Sequence, residues 1–404
     1  MLFVGIDWSE AHHDVCVLDA AGRVQARRRI LEGVQGIGEL HALVAAHADE
    51  DEEVVVGLET DRGLLVEALL ATDYQVYAIN PLAVSRYRER HTVSRGKSDP
   101  GDAKVLADLV RTDRHIHRPL AIDSDQARAI KVLARDHKDL IWQRQRHANK
   151  LRNRLREYYP AALAAFGGEL AHPDAVEVLA RAPTPEQGCR LSTRQIVSAL
   201  RRGGRRRRIE ARALEIREAL RTPQLQTSPA LAEAYADTAK AAVAVISELN
   251  AQIQTLEERM TARFEAHPDA EIITSLPGLS SILGARVLGE FGDNPTRFAH
   301  AKGRKAYAGT APITRASGRS KVVRRRIARN KRLADACQLW AFGAVNGSPG
   351  ARHYYDRLRD QGASHNAALR SLANRLVGIL HGCLNNRQVY NEEIAWPAAK
   401  RAAA

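Results

Sequence analysis

The chain has 404 residues and a formal net charge of +14, with 61 Lys and Arg against 47 Asp and Glu. This length suffices for two or three domains with cores of their own. No apolar run reaches the ~18 residues that a membrane-spanning helix requires, and the first residues lack the pattern of a signal peptide. The charge therefore predicts a polyanionic partner, a nucleic acid rather than a membrane. The four cysteines are far apart and form no CxxC pair, so reduced thiols in a cytoplasmic, nucleoid-associated protein are expected.

The first ~115 residues have the pattern of an α/β domain. Three strands are predicted, at Leu2–Ile6, Val15–Leu18 and Arg23–Ile30, and helices and strands alternate after them. The polar segment Thr92–Ser98 predicts a mobile loop. Three antiparallel strands followed by alternating helices and strands are the order of a ribonuclease-H-like domain. The later predicted elements are helix Ile37–Ala46, strand Val54–Leu58, helix Gly63–Ala71, strand Gln75–Ile79, helix Pro81–Arg90 and helix Gly101–Arg111.

Four acidic residues occupy the ends of these elements. Asp7 follows the first strand, Glu59 closes a later one, and Asp99 and Asp102 open the last helix, where residues three apart share a face. Carboxylates gathered in a basic chain predict a cation site, and oxygen ligands suit Mg²⁺. Two such ions about 3.5–4 Å apart can clamp the attacking and leaving oxygens of a phosphodiester. Each acid also has a structural interpretation, as a strand end or as a helix cap and dipole partner.

Two long helices are predicted in the middle of the chain, at Gln126–Tyr159 and Ser228–Ala266. They favour an antiparallel coiled-coil arm, and the alternative is a helical bundle packed on the first domain. Arginines lie opposite the apolar stripe of the first helix, and Arg152 and Arg156 are among the expected nucleic-acid contacts. The run Arg201–Arg208, between the two helices, is interpreted as a phosphate-contacting segment or as a solvated basic face.

The last third combines a helix–turn–helix pattern with a long basic span. Residues 272–291 predict two helices joined by a Pro-Gly turn, which resembles a helix-hairpin-helix motif. From Arg297 to Arg332 there is no Asp or Glu, and Phe298 and Tyr307 interleave as candidates for stacking on bases. The alternative is a disordered basic segment. The cations expected to contact nucleic acid here are Arg315, Arg319, Lys321, Arg324, Arg325, Arg326 and Arg329.

Ser317 lies in this span, in a polar turn before Gly318, flanked by Arg315, Arg319 and Lys321. Neighbouring cations lower the cost of an alkoxide and of charge that develops on an attacked phosphate, so Ser317 is a candidate nucleophile. An ordinary turn serine that caps backbone groups is the alternative, and the spacing alone favours it.

Together these segments resemble the DEDD-type insertion-sequence transposases, a group that includes the Piv-type DNA invertases and the bridge-RNA-guided recombinases. The resemblance covers roughly residues 2–113 and 271–356. Ala316 stands where many members of the group have a first of two serines, and residues 161–227 are longer than the usual connector. The matching segments are Val4–Asp7, Gly57–Glu59, Lys97–Ala103, Ser275–Gly278, Leu288–Asp293, Ala306–Gly309 and Ala316–Gly318.

The resemblance implies three domains and a catalytic apparatus divided between two of them. A RuvC-like, ribonuclease-H-like α/β domain would span residues 1–120, a coiled-coil or helical region residues 121–270 with the basic insertion, and a mainly α-helical transposase domain residues 271–404. Mg²⁺, as two ions, would be held by Asp7, Glu59, Asp99 and Asp102, and Ser317 would be the nucleophile.

The function expected from the resemblance is site-specific DNA recombination through a serine–DNA covalent intermediate. The expected partners are double-stranded DNA (the element ends and the target), a non-coding guide RNA, and further copies of the chain in a dimer or tetramer. Two rival hypotheses stay open. One is a RuvC-like junction-resolving nuclease that uses water as its nucleophile, and the other is a nucleic-acid-binding protein without catalysis.

Overall fold

The chain divides into two compact units, residues Met1–Ile122 and Asp123–Ala404. A computed structural model describes residues 1–49, 52–72, 74–91, 98–327 and 329–397. The loop predicted at Thr92–Ser98 lies outside these residues, except for Ser98. The division into three domains stays a prediction.

The first unit is a five-stranded mixed sheet covered by helices. The sheet has the order β3-β2-β1-β4-β5, with β1, β2 and β3 antiparallel and β1, β4 and β5 parallel. All nine predicted elements of this unit are present, and their ends differ from the predicted ones by at most three residues. The strands are β1 (Leu2–Trp8), β2 (His12–Leu18), β3 (Val24–Leu31), β4 (Val54–Leu58) and β5 (Gln75–Ala78), and the helices are α1 (Val34–Ala45), α2 (Leu64–Ala71), α3 (Pro81–His91) and α4 (Asp99–Asp113).

Strands β1 and β4 are apolar at every central position because helices cover both faces of the sheet. Val4 and Ile6 pack with α1 and α2 on one face, whereas Phe3 packs with α3 and α4 on the other. Side chains alternate along a strand, so every second residue of β1 faces α4.

Helix α4 lies directly on the sheet at two glycines. A Cβ atom on Gly5 would overlap the backbone of Ala103, and one on Gly57 would lie 2.7 Å from Cγ1 of Val110. Arg114, just after α4, lies over the Phe3 ring near the start of β1. Helix α4 therefore runs antiparallel to β1, and its first turn lies toward the carboxyl end of that strand.

The second unit is built around two long helices, α5 (Asp125–Tyr158) and α11 (Pro229–Glu265). Gln126 bonds the Arg263 carbonyl at 3.2 Å at one end of the pair, and Arg154 bonds the Thr238 carbonyl at 2.8 Å toward the other end. The helices are thus antiparallel, as predicted. Coiled-coil packing between them stays a prediction.

Five short helices between α5 and α11 pack on one end of this pair. They enclose a core of their own, in which Tyr158 stacks on Tyr235 with ring centroids 5.6 Å apart. Several begin at strong start signals, such as the capping box of Ser192 and Gln195. These helices are α6 (Pro160–Phe166), α7 (Pro173–Arg181), α8 (Pro185–Arg190), α9 (Thr193–Arg202) and α10 (Ile209–Arg221).

The remainder of the second unit is mainly helical, with one β-hairpin that the sequence pattern did not predict. Its core surrounds Trp340, whose indole N–H donates to the Pro277 carbonyl at 2.9 Å. The Pro-Gly turn is present, with its glycine against α15. The helices are α12 (Ala270–Ser275), α13 (Ser281–Phe291), α14 (Ala301–Tyr307), α15 (Lys331–Gly347), α16 (Pro349–Asp360), α17 (His365–Asn385) and α18 (Glu392–Ala395), and the strands are β6 (Ile313–Ser317) and β7 (Ser320–Arg324).

Among the described residues, no helix has the length and apolar character needed to cross a lipid bilayer.

Candidate active site

Asp7 and Glu59 lie at the carboxyl ends of neighbouring parallel strands. Ile6 of β1 is in register with Leu58 of β4, so the two acids occupy equivalent positions one residue further along. Asp7 follows Phe3 and Gly5 in the alternation of β1, which places it on the face that α4 covers. Asp7 is partly exposed and Glu59 is exposed.

Asp99 and Asp102 are in the first turn of α4, at the same edge of the sheet. The helix begins one residue after Ser98, so Asp99 is its first residue and not its cap. Asp99 is exposed, whereas Asp102 is buried and forms an ion pair with Arg88 of α3. The start of α4 therefore presents one acid to solvent and orients the other through an ion pair.

Two further residues of β2 belong to this group, and neither was predicted from the sequence. Asp14 lies directly opposite Asp7 in the antiparallel pair of β1 and β2. His12, Asp14 and Asp99 each offer a ligand atom, and these atoms all lie within 4.8 Å of one another. Arg29 of β3 pairs with Asp14 at 2.8 Å and lies 3.8 Å from Asp99.

Strand β2 was predicted to begin at Val15, which left both residues in a loop. A usable signal was present in the alternation of His12 and Asp14 with the apolar Cys16, which packs on the α4 side. Extending this alternation backwards would have placed both side chains on the same face as Asp7.

The donor set at this edge suits a hard divalent cation. It consists mainly of carboxylates, supplied by two parallel strand ends, β2 and the start of α4. Arg29 and Arg88 supply compensating positive charge to the acids they contact. The imidazole of His12 is the one nitrogen donor of the three-residue group and is more typical of transition metals than of Mg²⁺.

Ser317 stands at the exposed end of the hairpin formed by β6 and β7. It is the last residue of β6 and pairs with Ser320, the first residue of β7. Gly318 has φ +55° at the first position of the two-residue turn, the place where a type II′ turn needs glycine. Apart from Ile313, every residue of the two strands is exposed. Ser317 is therefore presented to solvent among cations.

Most of the cations that were predicted to contact nucleic acid are on or beside this hairpin. Arg326 and Arg329 are half-buried, and Nη1 of Arg329 donates to the Arg326 carbonyl at 3.0 Å. On α5, Arg156 is exposed, whereas Arg152 donates to the Gly167 carbonyl and so supports the fold. The exposed members are Arg315, Arg319, Lys321, Arg324 and Arg325.

Other parts of the basic span have internal roles. Phe298 was expected to stack on bases, and this expectation is wrong because the residue is only 3% exposed. It packs edge-on against Phe291, with Arg304 over both rings. Burial lowers the pKa of Arg304 to about 10. Tyr307 stays 38% exposed.

The run Arg201–Arg208 is ordered and partly neutralised. Arg205 pairs with the buried Asp174 at 2.6 Å, and Arg202 pairs with Glu177. Arg206 and Arg207 are exposed. The run is mostly exposed, but Arg201, Arg202 and Arg208 pair with glutamates, so only part of its positive charge is uncompensated.

Comparisons with known proteins agree with the order of these elements. A family model described as a transposase, of the DEDD type named for IS110, matches residues 4–160. A second, described as the transposase IS116/IS110/IS902 family, matches residues 270–356. The first match begins within β1 and covers the other four strands of the first unit's sheet. The second covers the hairpin of β6 and β7 that carries Ser317, called the serine hairpin below.

Similarity to individual proteins extends over the whole chain. The chain is 46% identical to the mini-circle protein of IS117 from Streptomyces coelicolor, over all of this chain and 98% of that protein. It is 29% identical to the 42 kDa protein of the insertion element IS900 from Mycobacterium paratuberculosis, over 100% and 99% of the two chains. It is also 31% identical to the 43.6 kDa protein of IS110 from Streptomyces coelicolor, over 74% and 73%.

Proposed function

Because the chain belongs to the IS116/IS110/IS902 family of insertion-sequence transposases, we propose that it is a site-specific DNA recombinase acting through a serine–DNA covalent intermediate. The observation that carries this proposal is the exposed Ser317 at the end of a basic hairpin. A structural serine would be expected to hold neighbouring backbone in place, whereas this one is presented where a DNA strand can reach it.

The proposed catalytic domain has a ribonuclease-H-like fold. In support, three antiparallel strands lead into two parallel ones in the order β3-β2-β1-β4-β5, and acids end β1 and β4. Helix α4 adds its first turn at the same edge. This arrangement gathers side chains that are distant in the sequence at one end of the sheet.

The residues proposed to hold Mg²⁺, as two ions, are Asp7, Glu59, Asp99 and Asp102. When bound, the metal would polarise the scissile phosphate and stabilise negative charge on its oxygens. Asp14 and His12 lie close enough to Asp99 to contribute to the same group. Arg88 orients Asp102 through their ion pair, so it is a positioning residue.

In the proposed reaction, the hydroxyl of Ser317 loses its proton and its Oγ forms a bond to the scissile phosphorus. One P–O bond to the DNA sugar breaks, and the departing oxygen takes up a proton. Arg315 and Arg319 lie beside the serine and would stabilise the phosphate as charge develops on it. After strand exchange, a hydroxyl of a second strand attacks the serine ester and releases Ser317. The number of phosphodiester bonds is unchanged, so no ATP is required.

A non-coding guide RNA is proposed as a second partner on the strength of the family resemblance. The exposed cations of the second unit include those of the serine hairpin and residues Arg206 and Arg207. These surfaces could bind phosphates of either nucleic acid. Sequencing the RNA that co-purifies with the protein would test this partner, and recovery of random cellular RNA alone would reject it.

Trapping of a protein–DNA adduct tests the serine mechanism. Wild-type protein with Mg²⁺ and DNA that carries the element ends should form a denaturant-resistant adduct, and Ser317→Ala should form none. Ser320→Ala is the matched control, since Ser320 is also exposed and lies opposite Ser317, and it should retain the adduct. Cleavage by Ser317→Ala at the wild-type rate, without an adduct, would instead favour a nuclease that uses water.

A further inference from the structure

A cationic cavity of about 360 Å³ lies in the second unit at the base of the serine hairpin. It is lined by the segment that follows β7, the first turns of α15, and one face of α17. Four cations line it: Arg325, Arg329, Lys331 and Arg370. Arg370 comes from α17, outside the basic span that the sequence analysis identified.

The charge of this cavity is largely uncompensated. Among the described residues, none of the four cations forms an ion pair with a carboxylate. Asp335 is the one acidic residue in the lining, and it pairs with Lys138 at 2.7 Å. Like charges that line one cavity without a carboxylate partner repel one another, and a bound anion would relieve this repulsion.

Two further features favour an anion at this place. Helix α15 is 17 residues long and begins at Lys331, so the positive end of its dipole lies at the cavity. The Arg329 side chain packs against Gly309 and forms one wall of the cavity. A side chain at position 309 would prevent this contact, because its Cβ atom would lie 2.9 Å from Cγ of Arg329. Thr310, the next residue, adds a hydroxyl to the lining.

We propose that this cavity binds a phosphoryl group, the chemistry that a backbone phosphodiester of nucleic acid shares with a free phosphate compound. Its place suggests the nucleic acid as the source, an assignment that rests on the proposed function. Extended chain from Ser320 to Arg325, one residue beyond β7, spans about 17 Å, which corresponds to roughly five base-pair steps of 3.4 Å along the axis of a DNA duplex. A phosphate held in the cavity would fix the position of the strand relative to Ser317 without reading its sequence.

Titration calorimetry of the full chain with pyrophosphate, in low salt and without metal, tests the site itself. Wild-type protein should bind it, and Arg370→Gln should lower the affinity at least about tenfold, because a charge-assisted contact is lost. Lys331→Gln, an exposed change at a helix start, should act in the same direction and guards against misfolding of the first variant. Arg259→Gln removes an exposed arginine of α11 elsewhere in the same unit and should leave binding unchanged.

The source of the phosphate is tested with a 30-base-pair duplex, again without metal. Arg370→Gln should reduce the slope of log K against log salt by about one, and Arg259→Gln should not change it. A slope unchanged while pyrophosphate binding falls would assign the cavity to a free phosphate compound and overturn the nucleic-acid assignment. Pyrophosphate binding that is absent, or equal in wild type and both cavity variants, would overturn the site. Neither readout requires catalysis, so a missing serine adduct would reject the recombinase without affecting this result.

Discussion

Glu290 lies in Leu288–Asp293, one of the segments that carry the family resemblance, and its carboxylate has a structural role. It is 3% exposed, accepts two hydrogen bonds from Arg135 at 2.7 and 2.9 Å, and accepts a third from Asn330 at 2.6 Å. Burial alone would raise the pKa of Glu290, but the bonds from Arg135 and Asn330 outweigh it and lower that pKa below the usual 4.5. This carboxylate therefore joins α13, α5 and the start of α15.

Replacing this acid should destabilise the second unit in a pH-dependent way. Glu290→Gln should lower the free energy of unfolding by about 3 kcal/mol at neutral pH, because Arg135 is left without its partner. A lowered carboxyl pKa stabilises the folded state above about pH 4.5, and this contribution is lost as the pH falls further. The difference in the free energy of unfolding between wild type and Glu290→Gln should therefore become smaller at acidic pH. Urea unfolding from pH 3 to 7 measures this difference. Glu271→Gln, a change of an exposed glutamate, is the control and should leave the free energy of unfolding unchanged at every pH.

Gly5 and Gly38 offer a matched pair of glycine substitutions in the first unit. Gly5→Ala should destabilise the protein by about 1–3 kcal/mol, because the added methyl overlaps the backbone of α4. Gly38 lies inside α1 with nothing within 4 Å of an added Cβ, so Gly38→Ala should stabilise by about 0.5–1 kcal/mol.

Thermal and urea unfolding of both variants check these signs. Since α4 carries Asp99 and Asp102, Gly5→Ala should also impair DNA cleavage. Equal stability of the two variants would mean that α4 does not lie as close to β1 as described.

At the scale of elements, the hairpin of β6 and β7 has little contact with the core of the second unit. Its strands are exposed from Thr314 to Arg324, and a two-stranded hairpin without a packed face is marginal on its own in water. Val323 is 60% exposed. A hairpin of this kind adds little to the core, so its role is expected to be contact with a binding partner.

Replacing residues 313–324 with a short Gly-Ser linker should abolish function while leaving the stability of the protein nearly unchanged. We expect the melting temperature to change by less than about 2 °C, because nearly all of the deleted side chains are exposed. Adduct formation should be lost, and the salt dependence of duplex binding should weaken because exposed cations are removed. A large fall in melting temperature would show instead that the hairpin is part of the fold.

At the scale of the whole molecule, the proposed catalytic groups belong to different units. The acids are in residues 1–122, and Ser317 is in residues 123–404. The long antiparallel pair of α5 and α11 lies between the two regions in the sequence. We propose that the chain assembles with further copies of itself and that Ser317 of one protomer acts with Asp7 of another.

Mixing two inactive variants tests this composite site. Ser317→Ala and Asp7→Asn should each fail to form an adduct, and their mixture should restore part of the activity, because some sites would contain both intact residues. A mixture that stays inactive, although each variant still assembles with wild-type protein, would place both residues in one protomer.

Periodicity and motif order were enough to identify the five strands and four α-helices found among the described residues of the first unit, but not the short 3-10 helix Arg114–Ile116. These patterns are local: an apolar run such as Val54–Leu58 predicts a buried strand wherever it is placed. The order of the four acids, the long helices and the family resemblance were also readable in the sequence. The hairpin around Ser317 was not predicted, because its strands have no buried face and so no alternation of apolar and polar residues.

Contacts between residues far apart in the chain required the folded protein. The register of β1 and β2 brings Asp14 opposite Asp7, and the close fit of α4 on Gly5 brings Asp99 to the same edge. Burial of Phe298 depends on Phe291 and Arg304, and the cationic cavity includes Arg370 of α17. Composition and spacing do not reveal such long-range contacts. These contacts follow from strand register and helix packing, and both depend on interactions throughout a folded unit.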